Sequence, residues 1–212
     1  YTVTWASGGV KTWTDAGTYV NVGTVTKDGY EAAAFSFTID PMEITGVTLK
    51  DGPRPYTGSA YADEIADVTT AGTVTGEKTY TAAYAGNMYA GTAVVTVTGT
   101  GNFTGTVEEK FEITAASAQQ FTVDGISDVI YDGRAHQLLP TVYFNGAALT
   151  QNVDYTLSYT GDLVNAGKVT VTITGEGNFT DTKTVNYRIL PKELTQEMVG
   201  AIAAQTYAGG AA

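Results

Sequence analysis

Residues 155–190 read YTLSYTGDLVNAGKVTVTITGEGNFTDTKTVNYRIL, and this segment decides the fold. Apolar side chains alternate in it with Thr, Ser or Asn, as they do around Val169, Val171 and Ile173. A period of two places one face of a β-strand on a core and the other toward water. β-Branched residues also fit a pleated strand better than a helix. The segment therefore predicts a run of antiparallel strands.

The same pattern occurs two more times. Residues 80–114 read YTAAYAGNMYAGTAVVTVTGTGNFTGTVEEKFEIT, and residues 1–40 carry a third version. Ala-Gly pairs begin at Ala16, Ala90 and Ala166, so the interval between successive pairs is nearly constant. Self-similarity at a fixed period is the signature of a repeat architecture. We therefore predict tandem units of about 75 residues.

A second motif, Tyr-x-Gly-x-Ala, sets the boundaries of the units. It occurs at residues 56–60, 131–135 and 207–211. Placed in phase, the two motifs predict two complete units, preceded by the back half of a unit and followed by the front segment of another. In chain order these are residues 1–40 (back half), 41–114 and 115–190 (complete), and 191–212 (front segment).

Turn residues between the apolar runs indicate six or seven short strands per complete unit. Asn145-Gly146 is a two-residue hairpin signal. Frequent short strands with turn signals are typical of a sandwich. We predict an all-β protein of tandem antiparallel β-sandwich, immunoglobulin-like modules in an elongated row. We interpret a helix-like window at residues 193–204 as a strand with a loop, because its counterparts look extended; a helical turn is the alternative.

Composition excludes several classes of function. The net charge is −11, from 22 acidic and 11 basic residues, which argues against nucleic acid and against an anionic membrane surface. No window approaches the roughly 18 unbroken apolar residues of a membrane-spanning helix, so no membrane insertion is expected. The absence of Cys excludes disulfides and thiolate metal sites.

The sequence offers no constellation of catalytic or metal-binding residues. His136 is the single histidine, so no histidine cluster can form; we interpret it as exposed in a loop or at a strand end. Asp63, Glu64 and Asp67 form an acidic cluster whose spacing does not match a calcium loop, and we interpret them as solvated charges. We predict no enzyme, no cofactor and no metal.

Aromatic residues fall into two groups. Those that recur from unit to unit are predicted to fill each core, and those without a counterpart are the candidates for ligand binding. The predicted core signature is Tyr56, Tyr131, Tyr207, Phe103, Phe179, Phe111 and Tyr187. The predicted ligand-binding residues are Trp13, Tyr61, Tyr89 and Tyr143.

The order of motifs in residues 131–189 resembles a known family. Tyr-Asp-Gly, Asp-Tyr-x-x-x-Tyr, Asn-Ala-Gly, V-T-I-T-G-x-G-N-F-T and Tyr-x-Ile follow one another there. This set is similar to the MBG/YDG-type and immunoglobulin-like repeats of large bacterial surface proteins. The resemblance implies extracellular modules, on the cell surface or secreted, that form the stalk of an adhesin-like protein without catalysis.

Three hypotheses for function remain open at this point. The first is a structural stalk whose partners are neighbouring repeats. The second is a module that binds a host protein or a carbohydrate through the unshared aromatic residues. The third is a head-to-tail filament, in which residues 191–212 of one chain complete residues 1–40 of the next by strand addition.

Overall fold

The computed structural model describes residues 1–6 and 12–200. Of the described residues, 53 % lie in strands and 3 % in helices, which confirms the all-β prediction. The chain divides into two compact units, residues 1–115 and 116–212. Residues 1–40 thus belong to the same unit as residues 41–115, whereas the four-part division of the sequence stays a prediction.

The first unit has nine strands within its described residues. They form three sheets, ordered β1-β2-β3, β5-β4-β8 and β6-β7-β9. Their bounds are β1 Thr2–Trp5, β2 Gly17–Thr26, β3 Ala33–Ile39, β4 Met42–Leu49, β5 Ile65–Thr70, β6 Tyr80–Ala85, β7 Gly91–Gly99, β8 Phe103–Thr104 and β9 Thr106–Ile113.

Apolar residues from two of these sheets meet in one core. Ile44 of β4 and Val68 of β5 pack with Val95 and Val97 of β7 and with Phe103 of β8. The alternation along β7 places Val95 and Val97 inward, where both side chains are fully buried. A second cluster joins the strand ends, and its buried members are Ala93, Phe111 and Ile113.

The second unit also has nine strands within residues 116–200. Its sheets are ordered β10-β17, β11-β13-β14 and β12-β18-β16-β15. Their bounds are β10 Ala116–Ser117, β11 Thr122–Asp124, β12 Val129–Ile130, β13 Thr141–Phe144, β14 Ala147–Ala148, β15 Tyr155–Thr160, β16 Gly167–Gly175, β17 Phe179–Thr180 and β18 Thr182–Leu190.

The second unit has its own core. Val169 and Val171 of β16 pack against Tyr187 and Ile189 of β18, and all four are buried. A separate aromatic group lies near the other end of the long strands. Phe179 makes edge-to-face contacts there with Phe121 at 4.9 Å and with Phe144 at 5.0 Å between ring centroids.

Three long hairpins begin with the same register. Gly17 pairs with Ile39 in β2–β3, Gly91 pairs with Ile113 in β7–β9, and Gly167 pairs with Ile189 in β16–β18. Two residues further along each hairpin, an inward side chain lies opposite an aromatic ring. These cross-strand pairs are Tyr19 with Phe37, Ala93 with Phe111, and Val169 with Tyr187.

Local structure confirms some predictions and corrects others. Asn145 and Gly146 have φ of 48° and 82° and connect β13 to β14 in the predicted two-residue hairpin. Residues 41–114 contain six strands, as predicted. Residues 115–190 contain nine rather than six or seven, because connecting segments pair there as two-residue strands. The strand expected near residue 193 is wrong, since Gln196–Val199 form one helical turn, α1.

In the described part of the chain, no helix has the length and apolar character needed to cross a membrane.

Candidate functional site

The strongest candidate site is one face of the sheet β1-β2-β3, which is covered by aromatic rings. Tyr19 and Phe37 stack at 5.2 Å between centroids. Trp13 lies 5.1 Å from Phe37 and 5.1 Å from Trp5, and Trp5 in turn lies 5.3 Å from Phe35. We call these five residues the aromatic face: Trp5, Trp13, Tyr19, Phe35 and Phe37.

Strand register places these rings side by side. Tyr19 of β2 is paired with Phe37 of β3, and Trp5 of β1 is paired with Gly23 of β2. Each ring therefore lies beside a neighbour on the same side of the sheet, within reach of an aromatic contact. All five side chains of the aromatic face are half-buried.

A β-bulge in β2 adapts the sheet to these large rings. The register between β2 and β3 shifts between Tyr19 and Gly23. Asn21 lies in the bulge with φ of 49°, and its backbone N–H donates to Ser36 Oγ at 2.9 Å. A Cβ at Gly23 would lie 2.7 Å from the Phe35 ring. The glycine therefore lets that ring lie directly on the backbone.

The predicted ligand-binding residues occupy different environments. Trp13 belongs to the aromatic face. Tyr61 is half-buried, and its hydroxyl donates to the Pro55 carbonyl at 2.7 Å. Tyr89 is 59 % exposed, and Tyr143 is half-buried on β13 of the second unit. Of the four, Trp13 is the residue that lies within an aromatic cluster of several rings.

The predicted core signature is placed as follows. Tyr56 is half-buried against the cluster around Phe111. Tyr131 is 36 % exposed and therefore lies at the surface rather than in the core. Tyr207 lies outside the described residues. The four buried members are Phe103, Phe111, Phe179 and Tyr187.

His136 is not the exposed residue that the sequence suggested. Its side chain is 18 % exposed, and Nε2 lies 2.9 Å from Asp132 Oδ1. Asp132 also accepts the backbone N–H of Arg134 at 2.9 Å. This hydrogen bond, aided by the nearby imidazole, lowers the pKa of the Asp132 carboxyl below its ordinary value. In the sequence, the Asp-x-x-x-His spacing across the turn at Gly133 is the pattern that indicates this contact between Asp132 and His136.

The acidic cluster of the first unit is divided among three ion pairs. Asp63 pairs with Lys50 at 2.8 Å, and Asp67 pairs with Lys78 at 2.9 Å. Hydrogen bonding raises the pKa of Lys50 and lowers the pKa of Asp67. Glu64 pairs with Arg54, as described below. Within residues 1–6 and 12–200, no three acidic or histidine side chains gather into a cation site.

An open groove of about 590 Å³ lies beside β4 and β9 in the first unit, and no pattern in the sequence predicts it. Arg54 in its wall lies over the Phe111 ring at 5.1 Å. Its guanidinium donates to Glu64 at 2.6 Å and to the Lys50 carbonyl at 2.5 Å. These contacts occupy the guanidinium, so Arg54 does not present a free cation to an anionic ligand.

Comparison with family models, with curated proteins and with solved structures finds no match for this chain.

Proposed function

We propose that this chain is part of a non-catalytic stalk of a bacterial cell-surface or secreted protein. Its units would be immunoglobulin-like β-sandwich modules that act as spacers. The observation that carries the proposal is the independence of the two cores. Each unit has its own buried apolar cluster, and no polar or charged residue is buried in the described chain.

The connection between the units supports a spacer. Strand β9 ends at Ile113 and β10 begins at Ala116, so two residues separate the last strand of one unit from the first strand of the next. A flexible tether needs many more residues than this. Repetition of the hairpin register in β7–β9 and β16–β18 further supports modules of one kind.

The arrangement of charges supports a role without catalysis. Lys50, Arg54 and Lys78 are each paired with an acid. Catalytic groups usually have pKa values shifted toward neutrality by burial or by like charges. Here the pKa shifts at Lys50 and Asp67 favour the charged forms, which is the pattern of structural ion pairs.

Small-angle X-ray scattering of the purified chain tests the spacer. A compact body of this length would have a radius of gyration of about 17 Å, whereas we expect a clearly larger value with a rod-like distance distribution. The control carries a ten-residue Gly-Ser insertion between Thr114 and Ala115, which should broaden that distribution. A value near the compact limit for the unmodified chain would overturn the proposal.

A further inference from the structure

We propose that the outer edge of β9, with the groove beside it, binds an extended peptide segment that carries Lys or Arg and adds it as a strand to the sheet β6-β7-β9. This binding function goes beyond the spacer role and does not depend on it. Strand β9 is the last strand of that sheet, and in the described residues no strand pairs with its outer edge between Thr106 and Glu112. Such an edge offers a row of backbone donors and acceptors to a partner strand.

The hydrogen bonds at the two ends of β9 show which backbone groups lie on this edge. Just before β9, the Gly105 carbonyl accepts the N–H of Gly99 in β7 at 2.9 Å. Just after β9, Thr114 faces the other way, since its N–H donates to the Arg54 carbonyl at 2.9 Å. Backbone direction alternates along a strand, so every second residue of β9 points its N–H and C=O groups away from β7. These residues are Thr106, Glu108, Lys110 and Glu112.

The corresponding edge of β18 in the second unit is closed by side chains. Asp128 Oδ1 accepts the N–H of Arg188 at 2.7 Å, and the Gln119 side chain donates to the Thr182 carbonyl. In the first unit, Pro53 lies three residues before the motif tyrosine, which is the place of Asp128 in the second unit. A proline side chain cannot accept a hydrogen bond. The edge is therefore more open in the first unit than in the second.

Glu109 gives the edge its chemical preference. It lies opposite Val95 of β7, on the same side of β9 as the buried Phe111. At the same register in the second unit, Val185 lies opposite Val171 and packs against the core, whereas Glu109 is exposed and lines the groove. An inward charge on an edge strand discourages indiscriminate pairing. A strand with a positively charged side chain at this position is attracted instead.

The charges around the groove fit such a partner. Lys50 and Arg54 line the groove, but each is paired with an acid, Asp63 and Glu64 respectively. In the described chain, no ion pair engages the other charged residues of the lining, which are Asp51, Glu109, Lys110 and Glu112. Three carboxylates therefore stand against one ammonium group. The net charge of −11 also speeds the encounter with a cationic segment.

The groove has room for a long side chain. Its volume is about 590 Å³, and its lining includes the half-buried Val47 and Leu49 of β4. Leu49 packs there against Phe111. A Lys or Arg side chain from the added strand would lay its methylene groups along Val47 and Leu49 and bring its charge to Glu109. The combination of an apolar wall and a carboxylate selects Lys or Arg over a short or an acidic side chain.

A second copy of β9 does not fit this edge. Antiparallel registers centred on Glu108, Glu109 or Lys110 each place that residue opposite its own counterpart. Like charges directly opposite each other oppose strand pairing. The partner is therefore a different segment, of opposite charge.

Fluorescence anisotropy with a labelled peptide of about ten residues that alternates Lys with Thr tests the proposal. We expect saturable binding, and at least about tenfold weaker binding of the same peptide with Glu in place of Lys. Glu109→Lys should weaken binding of the Lys peptide at least about tenfold and strengthen binding of the Glu peptide. A variant that merely failed to fold would not gain affinity for the Glu peptide. The matched control Glu43→Lys makes the same charge change at an exposed position of β4 outside the groove, and its affinity should stay within about threefold.

Peptides methylated on alternate backbone amides test the strand addition itself. One set of amides in an added strand faces β9 and the other faces away, so methylation of one set should abolish binding and methylation of the other should leave it intact. Amide hydrogen exchange gives the location. With the peptide bound, the N–H groups of Glu108, Lys110 and Glu112 should exchange at least about tenfold more slowly. The N–H of Asn186, at the register of Lys110 in the second unit, should exchange at an unchanged rate.

Three results would overturn the proposal. Equal affinity for the methylated and unmethylated peptides, or equal loss with both methylated sets, would exclude pairing along the edge of β9. Unchanged hydrogen exchange in β9 would place the peptide elsewhere. Equal effects of Glu109→Lys and Glu43→Lys would mean attraction by net charge alone. The scattering test of the spacer is independent, since a rod-like chain that ignores the peptide keeps the spacer, and a compact chain that binds it keeps the peptide site.

Discussion

Tyr187 shows how one side chain joins two parts of the second unit. Its ring is 1 % exposed in the core between β16 and β18, and its hydroxyl donates to the carbonyl of His136, 51 residues earlier in the chain. Burial raises the pKa values of Tyr155, Tyr159 and Tyr187 above the ordinary value. The fold therefore holds all three phenolic protons more firmly than the unfolded chain does.

These raised pKa values predict a loss of stability in alkali. Tyrosines of the unfolded chain ionise near pH 10. Above that pH the native state binds more protons than the unfolded state does. The free energy of unfolding therefore falls as pH rises further. Below about pH 10 the contribution is constant. Urea unfolding of the chain between about pH 8 and pH 11.5 should show the midpoint falling only in the upper part of the range.

Tyr187→Phe is the matched variant for this alkaline effect. It removes one titrating group, so its midpoint should fall less steeply above about pH 10. At pH 8 it should be less stable by about 1 kcal/mol, because the carbonyl of His136 loses its donor. A midpoint that declines identically in both proteins would contradict the assignment to Tyr187.

The hydrogen bonds of Asp162 predict that the stability of the fold also decreases in acid. Its carboxylate accepts hydrogen bonds from the Asn165 side chain at 2.6 Å and from the backbone N–H groups of Asn165 and Val164. The Asn165 side chain first, and then these backbone donors, lower the pKa of Asp162. Its stabilisation is present above the unfolded pKa near 4 and is lost as pH falls through the lower folded value. Asp162→Asn should flatten this acid limb of the thermal midpoint; an unchanged limb would contradict the assignment.

At the scale of elements, glycines allow the long strands to approach a following turn. A Cβ at Gly175, at the end of β16, would lie 2.8 Å from Phe179 Cβ and 2.9 Å from the Thr180 nitrogen. Gly99 at the end of β7 is in the same situation, with Thr104 nitrogen at 2.6 Å. Because backbone atoms of β8 and β17 fill this space, a side chain there must displace the strand.

Gly175→Ala should therefore destabilise the second unit by about 1–3 kcal/mol, the usual cost of overpacking. The matched control is Gly167→Ala at the other end of β16, where the nearest atom to a new Cβ is 3.9 Å away. That variant should change the free energy of unfolding by less than about 1 kcal/mol. Chemical unfolding of the two variants gives both values, and equal destabilisation would refute the contact argument.

The sequence predicts the elements that depend on local patterns better than the elements that depend on pairing with distant residues. Alternation in β7 and β16 and the Asn145-Gly146 turn are local signals, and the structure has both. Strand β12 has a nonlocal cause, since Val129 pairs with Ile189, which lies far along the chain. Sequence patterning does not reveal such a partner. Helical turn α1 lies in a window that looks helix-like by itself, and the extended look of its counterparts elsewhere in the chain favours a strand instead.

The candidate site is predictable only in part. Trp13 stands out because it has no counterpart in the other units. Trp5 aligns with Tyr84 and Tyr159, which predicts a place in a core, and nothing in the sequence predicts the cluster of rings around both tryptophans. The cluster depends on the bulge at Asn21 and on how completely other segments cover the face. Both are tertiary properties.

At the scale of the whole molecule, the chain has two compact units with separate cores. The intrinsic stability of each unit is one of the terms that set the stability of a modular repeat protein. The three-ring contact of Phe121, Phe144 and Phe179 lies wholly inside the second unit, for example. Stability should therefore be a property of each unit.

A pair of matched core substitutions tests this independence. Ile44 in the first unit and Ile173 in the second are 2 % and 0 % exposed, and truncation of either to Ala should cost about 2–5 kcal/mol. For units of this size, each kcal/mol shifts a thermal midpoint by about 4–8 °C. Calorimetry should show two transitions, with Ile44→Ala lowering one by at least about 8 °C and Ile173→Ala lowering the other. Val153→Ala, at a side chain that is 64 % exposed, should leave both in place. If both core variants instead lowered one common transition, the units would unfold together, and the modular basis of the spacer would be lost.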